Sequence, residues 1–278
     1  MRGREDQPGC RELPYRNKLI FNEILGYSSP YFDFDKPFNF LNFGAGTSNP
    51  LALPIMFSSL GAKNAYALEP GNISKDKTLF GLNEAYLDII SKPSEYGTIE
   101  GYSQRLANMA NAIDLPALFK YDLLGALKSL YLLSDYGESI TLDDNSIDLI
   151  YSRSVFEHIL NFSEVVAEID RVLSDSGVMV HDIDFTAHNK VNKFSFYYVD
   201  SSTASSHLTG LNRLRLPDYL EHFSAMGFEV NVVHKESAER NELNEGLLVD
   251  SFSRYSIEDL LISRAIIVVT RKEITTNE

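Results

Sequence analysis

FNFLNFGAGTSNPLALPIMFSSLGAKNAYALEP, residues 38–70, is the stretch whose reading decides the fold. Its opening run, FNFLNF (38–43), has the length and aromatic content of a buried strand and breaks at the turn GAGTSN (44–49). PLALPIMFSSLGA then has the character of a helix stopped by Gly61. Pro50 suits the first helical turn, where its missing N–H is not needed, and Pro54 stands close enough to that start to cost little. Gly44 and Gly46 let the backbone turn tightly and approach a ligand, while the helix N-terminus offers unbonded N–H groups. NAYALEP (64–70) is a second buried strand ending in Glu69, 25 residues beyond Gly44. A carboxylate there can accept hydrogen bonds from both ribose hydroxyls of an adenosine; it also reads as a solvated strand end, and the glycine turn as structure alone. A dinucleotide fingerprint would place a third glycine at position 49, where this chain has Asn49, which disfavours a nicotinamide oxidoreductase.

Outward from this unit the texture changes three times. Residues 1–37 mix charge with Tyr, Phe and Pro and read as an aromatic-bearing arm, either a lid or a packing segment. Residues 38–187 alternate short apolar runs with helical patterns, the signature of an α/β sheet. Residues 188–215, aromatic and rich in hydroxyls, read as a cap over the site. Residues 216–278 read as a helix (217–226), strand FEVNVVHK (228–235), a polar insertion, and the final strand SRAIIVVTRK (263–272). All four belong to one domain of 278 residues.

Composition narrows the function. Lys plus Arg is 25 against 39 Asp plus Glu, a formal charge of −14, which argues against nucleic acid or an anionic membrane surface as partner. Cys10 is the only cysteine, so no disulfide framework or thiolate zinc site exists. The start, MRGREDQPGC, lacks a secretory apolar stretch, and no run reaches the roughly 18 apolar residues of a membrane span. The expectation is a cytoplasmic protein without a metal site. Asp182, Asp184 and His188 are the one set that could hold a divalent ion.

The most specific stretch is LDDNSIDLIYSRSVFEHI (142–159): a turn, a strand, then a short helix bearing Glu157 and His158. EVVAEIDRVLSDSGVMVHDID (164–184) continues with a helix, a turn and another strand. These motifs, in this order after the glycine turn, resemble the class I S-adenosylmethionine-dependent methyltransferases. GAGTSNPLALPIMFSSLGAKNAYALEP, the Glu-His pair, VMVHDIDF and NRLRLPDYL further resemble a bacterial subgroup that tailors small molecules or glycans. The resemblance implies a Rossmann-like doubly wound sheet of seven strands, order 3-2-1-4-5-7-6 with the last strand antiparallel. It implies S-adenosyl-L-methionine as methyl donor, bound by Asn42, Gly44, Ala45, Gly46, Thr47, Glu69 and Ser154. Asn42 replaces an acidic residue and Ser48 a glycine common in the family. The third strand is not legible in 115–141, and Asp122, Asp135 and Glu138 stay open as its adenine-contacting residue.

The expected reaction is methyl transfer to an oxygen, or second a nitrogen, of a small polar acceptor such as a sugar or glycan precursor. Base candidates are His158, His181, Asp184 and His188; acceptor candidates are Asn212, Arg213 and Arg215. Alternation along 178–184 places His181 with Ile183 on one face and Asp182 with Asp184 on the other. Each also has a plain structural reading: a satisfied strand histidine at 181, a solvated loop histidine at 188, a helix-packing histidine at 158, helix-entry ion pairs for the arginines. The opposing class is a non-catalytic module of the same fold that binds S-adenosylmethionine or a partner.

Overall fold

The structure is a computed structural model that describes residues 13–47, 49–71, 73–96, 101, 103–104, 107, 131–132, 137–187, 193–199 and 210–272. Its centre is a 7-stranded sheet of order β3-β2-β1-β4-β5-β7-β6. The strands are β1 (Phe38–Phe43), β2 (Ala62–Leu68), β3 (Tyr131–Leu132), β4 (Ile147–Arg153), β5 (Leu173–Asp184), β6 (Phe228–Ser237) and β7 (Ile262–Arg271). β1 pairs in parallel with β2 and β4, and β4 in parallel with β5. β7 runs antiparallel between β5 and β6. The expected strand order and antiparallel last strand are both present. β3, two residues long, is the strand the sequence did not disclose.

Helices cover both faces because the strands are apolar on both. On one face lie α1 (Leu13–Ser28), α2 (Ala52–Leu60) and α3 (Lys75–Ser91), against Phe38, Phe40, Leu149, Tyr151, Val178, Val180, Ile266 and Val268. Within the arm, α1 is therefore a packing helix: Ile20, Phe21 and Ile24 are buried one turn apart and fix it on the sheet. On the other face lie α4 (Phe162–Val172) and α5 (Leu216–Ala225). α4 buries Phe162, Val165, Val166, Ile169 and Val172, a helical stripe, while Glu164 and Arg171 sit in its first and last turns as the helix dipole favours.

A third apolar cluster stands apart from the two sheet faces. It joins Phe194, Phe196 and Tyr197 to Leu211, Leu243, Phe252 and Leu260, the last from α6 (Ile257–Leu261). The polar stretch after β6 is a series of single 3-10 turns at 240–242, 245–247 and 250–252, whose inward Leu243 and Phe252 supply one side of this cluster. No described helix is long and apolar enough to cross a membrane.

Candidate active site

The C-terminal ends of β1, β2 and β4 meet at the glycine turn, where open α/β sheets place their ligands. Gly44 and Ala45 both donate N–H bonds to the Leu68 carbonyl at 2.9 Å, and Ser74 N–H bonds Thr47 O at 2.9 Å. Glu69 completes the tie: its Oε2 accepts Gly46 N–H at 2.7 Å and its Oε1 accepts Gly71 N–H at 2.8 Å. Each carboxylate oxygen has more than one acceptor site. Gly44 and Gly46 adopt φ of 71° and 82°, a region that favours glycine. Their surroundings differ. A Cβ on Gly44 would lie 2.3 Å from Val155 Cγ2, whereas one on Gly46 would meet nothing within 4 Å.

Two cavities share Gly44. One, about 260 Å³, is lined by Asn42, Ala45, Gly46, Thr47 and Ser154, together with Arg16 and Asn17 of α1 and Tyr151 and Arg153 of β4. The other, about 330 Å³, is lined by Phe43, Leu68, Pro70, Glu138, Val155 and His158 through Asn161. Six of the seven proposed cofactor residues thus line the first cavity, and Glu69 holds the loop that forms its wall. Glu138 lines the second cavity and accepts a bond from Asn161 Nδ2. Asp122, Asp135 and Ser48 lie outside the described residues.

After β4 the chain turns sharply. Ser154 takes φ of 51°, and its N–H bonds Asp182 O at 2.9 Å. Phe156–His158 then form one 3-10 turn. His158 is exposed, with Nδ1 2.8 Å from the Gly210 carbonyl. Glu157 is 4% exposed. Burial, with Asp184 and Asp182 adding to it, pushes its carboxyl up to about 8, so it holds its proton at neutral pH. No group of three His, Cys, Asp or Glu able to hold a metal ion exists among the described residues. Of the set considered for such an ion, Asp182 is bonded by Arg264 at 2.7 and 2.8 Å, and His188 lies outside the described residues.

Several candidates belong to the architecture instead. His181 is fully buried, stacked on Phe156 (centroids 4.0 Å apart) and Phe223 (5.7 Å), with Nδ1 2.8 Å from Ser152 Oγ. Burial pulls it down to about 3, so it is a neutral core residue and not the base. Arg215, 1% exposed, donates to the carbonyls of Phe185 and Ile262 and faces the Phe185 and Tyr197 rings at 4.7 and 5.2 Å. Arg213 donates to Phe196 O and Val199 O. Asn212 Nδ2 donates to Phe156 O at 2.6 Å and Ile159 O at 3.0 Å, and its N–H to Glu157 O at 2.7 Å. Asn212 thus ties the chain to the turn after β4, while Arg213 and Arg215 serve main-chain carbonyls around the third cluster. Asp184 Oδ1 caps its own turn, accepting Thr186 N–H and Oγ1–H at 2.8 and 2.7 Å. Arg16, Asn17, Tyr151 and Arg153 are the site residues that the sequence did not single out. The signal for α1 was the apolar spacing Ile20, Phe21, Ile24; which cavity its polar face meets is decided by docking.

Residues 117–181 match the family model of a methyltransferase domain, a segment running through β3, β4 and α4 into β5. No curated protein matches the chain in sequence. Among solved structures it is similar to the YcgJ protein from Bacillus subtilis, 13% identical over 93% of this chain and 99% of that one, with a TM-score of 0.46. It is also similar to the CurJ carbon methyltransferase (11%, 92% and 54%, TM-score 0.47) and to the MccD protein (13%, 90% and 96%, TM-score 0.46). The sheet order, the glycine turn and the matched segment together give the chain the fold of the class I methyltransferases, and the match to the methyltransferase-domain model lies within that fold.

Proposed function

We propose that this chain is an S-adenosylmethionine-dependent methyltransferase that methylates an oxygen, or second a nitrogen, of a small polar acceptor such as a sugar or glycan precursor, with the donor's adenosine held beside Glu69 and its amino-acid end in the cavity under α1. Bound there, the cofactor supplies a methyl already activated on a sulfonium, so holding donor and acceptor in line and excluding water accounts for most of the acceleration. One observation carries the choice of a hydroxyl acceptor. His158 lines the cavity that shares Gly44, and its Nδ1 faces a carbonyl, which can only accept. Nδ1 therefore carries the ring proton, and Nε2 is the basic atom that can take a hydroxyl proton as the methyl is transferred. With Arg213 and Arg215 bound to main-chain carbonyls and the chain at −14, a neutral acceptor fits better than an anionic one.

The test is release of S-adenosylhomocysteine in the presence of a panel of neutral sugars, sugar nucleotides and amines. Turnover with a hydroxyl compound, lost when that hydroxyl is already methylated, is the expected result; turnover with amines alone would reject the oxygen assignment. His158→Asn should lower kcat by about 10²-fold or more with S-adenosylhomocysteine affinity unchanged, and full turnover in that variant would remove His158 as the base.

A further inference from the structure

The turn that carries His158 is held by one short segment of chain. Phe156, Glu157 and Ile159 are buried and His158 among them is exposed, so the direction of its ring follows the backbone beneath it. A single 3-10 turn bonds few of its own carbonyls, and buried carbonyls need donors. Asn212 supplies them: its Nδ2 donates to Phe156 O at 2.6 Å and Ile159 O at 3.0 Å, and its N–H to Glu157 O at 2.7 Å. Two residues earlier, the Gly210 carbonyl meets His158 Nδ1 at 2.8 Å. Segment 210–212 therefore holds the backbone on both sides of His158 and the imidazole as well. Asn212 is itself fixed, because its Oδ1 accepts Leu214 N–H at 3.0 Å and lies 3.2 Å from the hydroxyl of Tyr219, buried on α5. Ser154 at one side of this junction and Arg213 at the other take φ of 51° and 64°. Backbone in that region persists only where its surroundings impose it.

We infer that Asn212 is a positioning residue for His158: it fixes the turn 156–159 so that Nδ1 stays on the Gly210 carbonyl and Nε2 is presented to the acceptor's hydroxyl. Its bonds support this role in place of a grip on the acceptor. Misplacing a reacting group by about 1 Å costs on the order of 10²-fold in rate, so a side chain that only fixes the turn controls turnover without touching the acceptor. The inference rests on the reading of His158 as the base.

Two measurements on the full chain test it. NMR of the histidine ring nitrogens in labelled protein, at a pH where the ring is neutral, reads the tautomer without any acceptor; the His158 signals are those lost in His158→Asn. Wild type should carry the proton on Nδ1, and Asn212→Ala should move His158 to an exchanging mixture with the Nε2 tautomer while the signals of His234 stay in place. A proton on Nε2 in wild type, or an unmoved tautomer in folded Asn212→Ala, would overturn the inference. Melting curves establish folding, and if Asn212→Ala does not fold, Asn212→Ser, whose hydroxyl can still bond one carbonyl, is read by the same criteria. The second measurement is turnover of the hydroxyl compound found in the acceptor panel. Asn212→Ala should lower kcat by about tenfold or more with acceptor KM and S-adenosylhomocysteine affinity within about twofold of wild type. Added to His158→Asn it should cost nothing further, as for residues that act as a unit. A raised KM with unchanged kcat would make Asn212 an acceptor contact, and additive losses would make it a support of the fold alone; either result overturns the inference. Full turnover in His158→Asn would overturn the base assignment, and the inference with it, even where the tautomer moves.

Discussion

Arg215 and Arg16 carry the same side chain into opposite surroundings. Around Arg215 the fold delivers acceptors of its own: the carbonyls of Phe185, just past the end of β5, and of Ile262, at the first residue of β7. Buried carbonyls need donors, and a guanidinium with five N–H groups supplies several at once. Around Arg16 the glycine turn gives its N–H groups to Leu68 and Glu69 and its Thr47 carbonyl to Ser74, and among the described residues Arg16 makes no bond to it. The role of each arginine is therefore set by what the backbone leaves unbonded in its neighbourhood before any ligand arrives.

The sharpest way to break this contrast is to remove both side chains. Arg215→Ala leaves buried carbonyls without donors and a hole among three rings, and should lower unfolding free energy by about 3 kcal/mol or more in urea denaturation. Arg16→Ala should stay within about 0.5 kcal/mol of wild type in the same experiment. Equal losses would mean that Arg16 also serves the fold.

The two glycines of the turn give the next largest effect. Gly44→Ala meets both an unfavourable φ and Val155, and should cost about 2–4 kcal/mol. Gly46→Ala faces only the backbone cost, about 1–2 kcal/mol, because its Cβ would enter open space. A steric block by protein atoms is thus expected at Gly44 and not at Gly46. Thermal unfolding of the two variants, compared directly, decides whether Val155 closes on the turn.

An effect of a different kind, spread over pH, belongs to Glu157. Its carboxyl titrates near 8 when folded against an ordinary 4.5, so between those pH values the folded state holds one more proton than the unfolded state. Stability is then fullest below 4.5 and falls by at most about 1.4 kcal/mol per pH unit as pH rises through that window. Glu157→Gln should remove that slope, read as the difference between the two proteins' pH–stability curves; parallel curves would show that Glu157 titrates normally.

Much of this was legible from residue order. The run 38–70 showed a strand, a glycine turn, a helix and a second strand, and alternation in 178–184 correctly set His181 beside Ile183 in the core behind the sheet. What alternation does not report is depth: whether His181 reaches solvent depends on Phe156 and Phe223, 25 residues before it and 42 after. Arg213 and Arg215 looked like ligand residues because their partners, from Phe185 to Ile262, are supplied by segments far away in sequence. β3, described over Tyr131–Leu132 alone, offered no period to read.

The place of β7 has a consequence for how the protein is made. It follows every other described strand in the chain, yet it hydrogen-bonds on both sides, to β5 through Val178–Asp184 and to β6 through Phe228–Ser237. Until residues 262–271 leave the ribosome, β5 presents an open row of N–H and C=O groups over an apolar surface. Asp182, already beside Arg153 at 3.3 Å, gains its two bonds from Arg264, 82 residues later, only when β7 docks. Such late, distant pairing folds slowly, so the half-made chain is the form most exposed to aggregation and most dependent on chaperones.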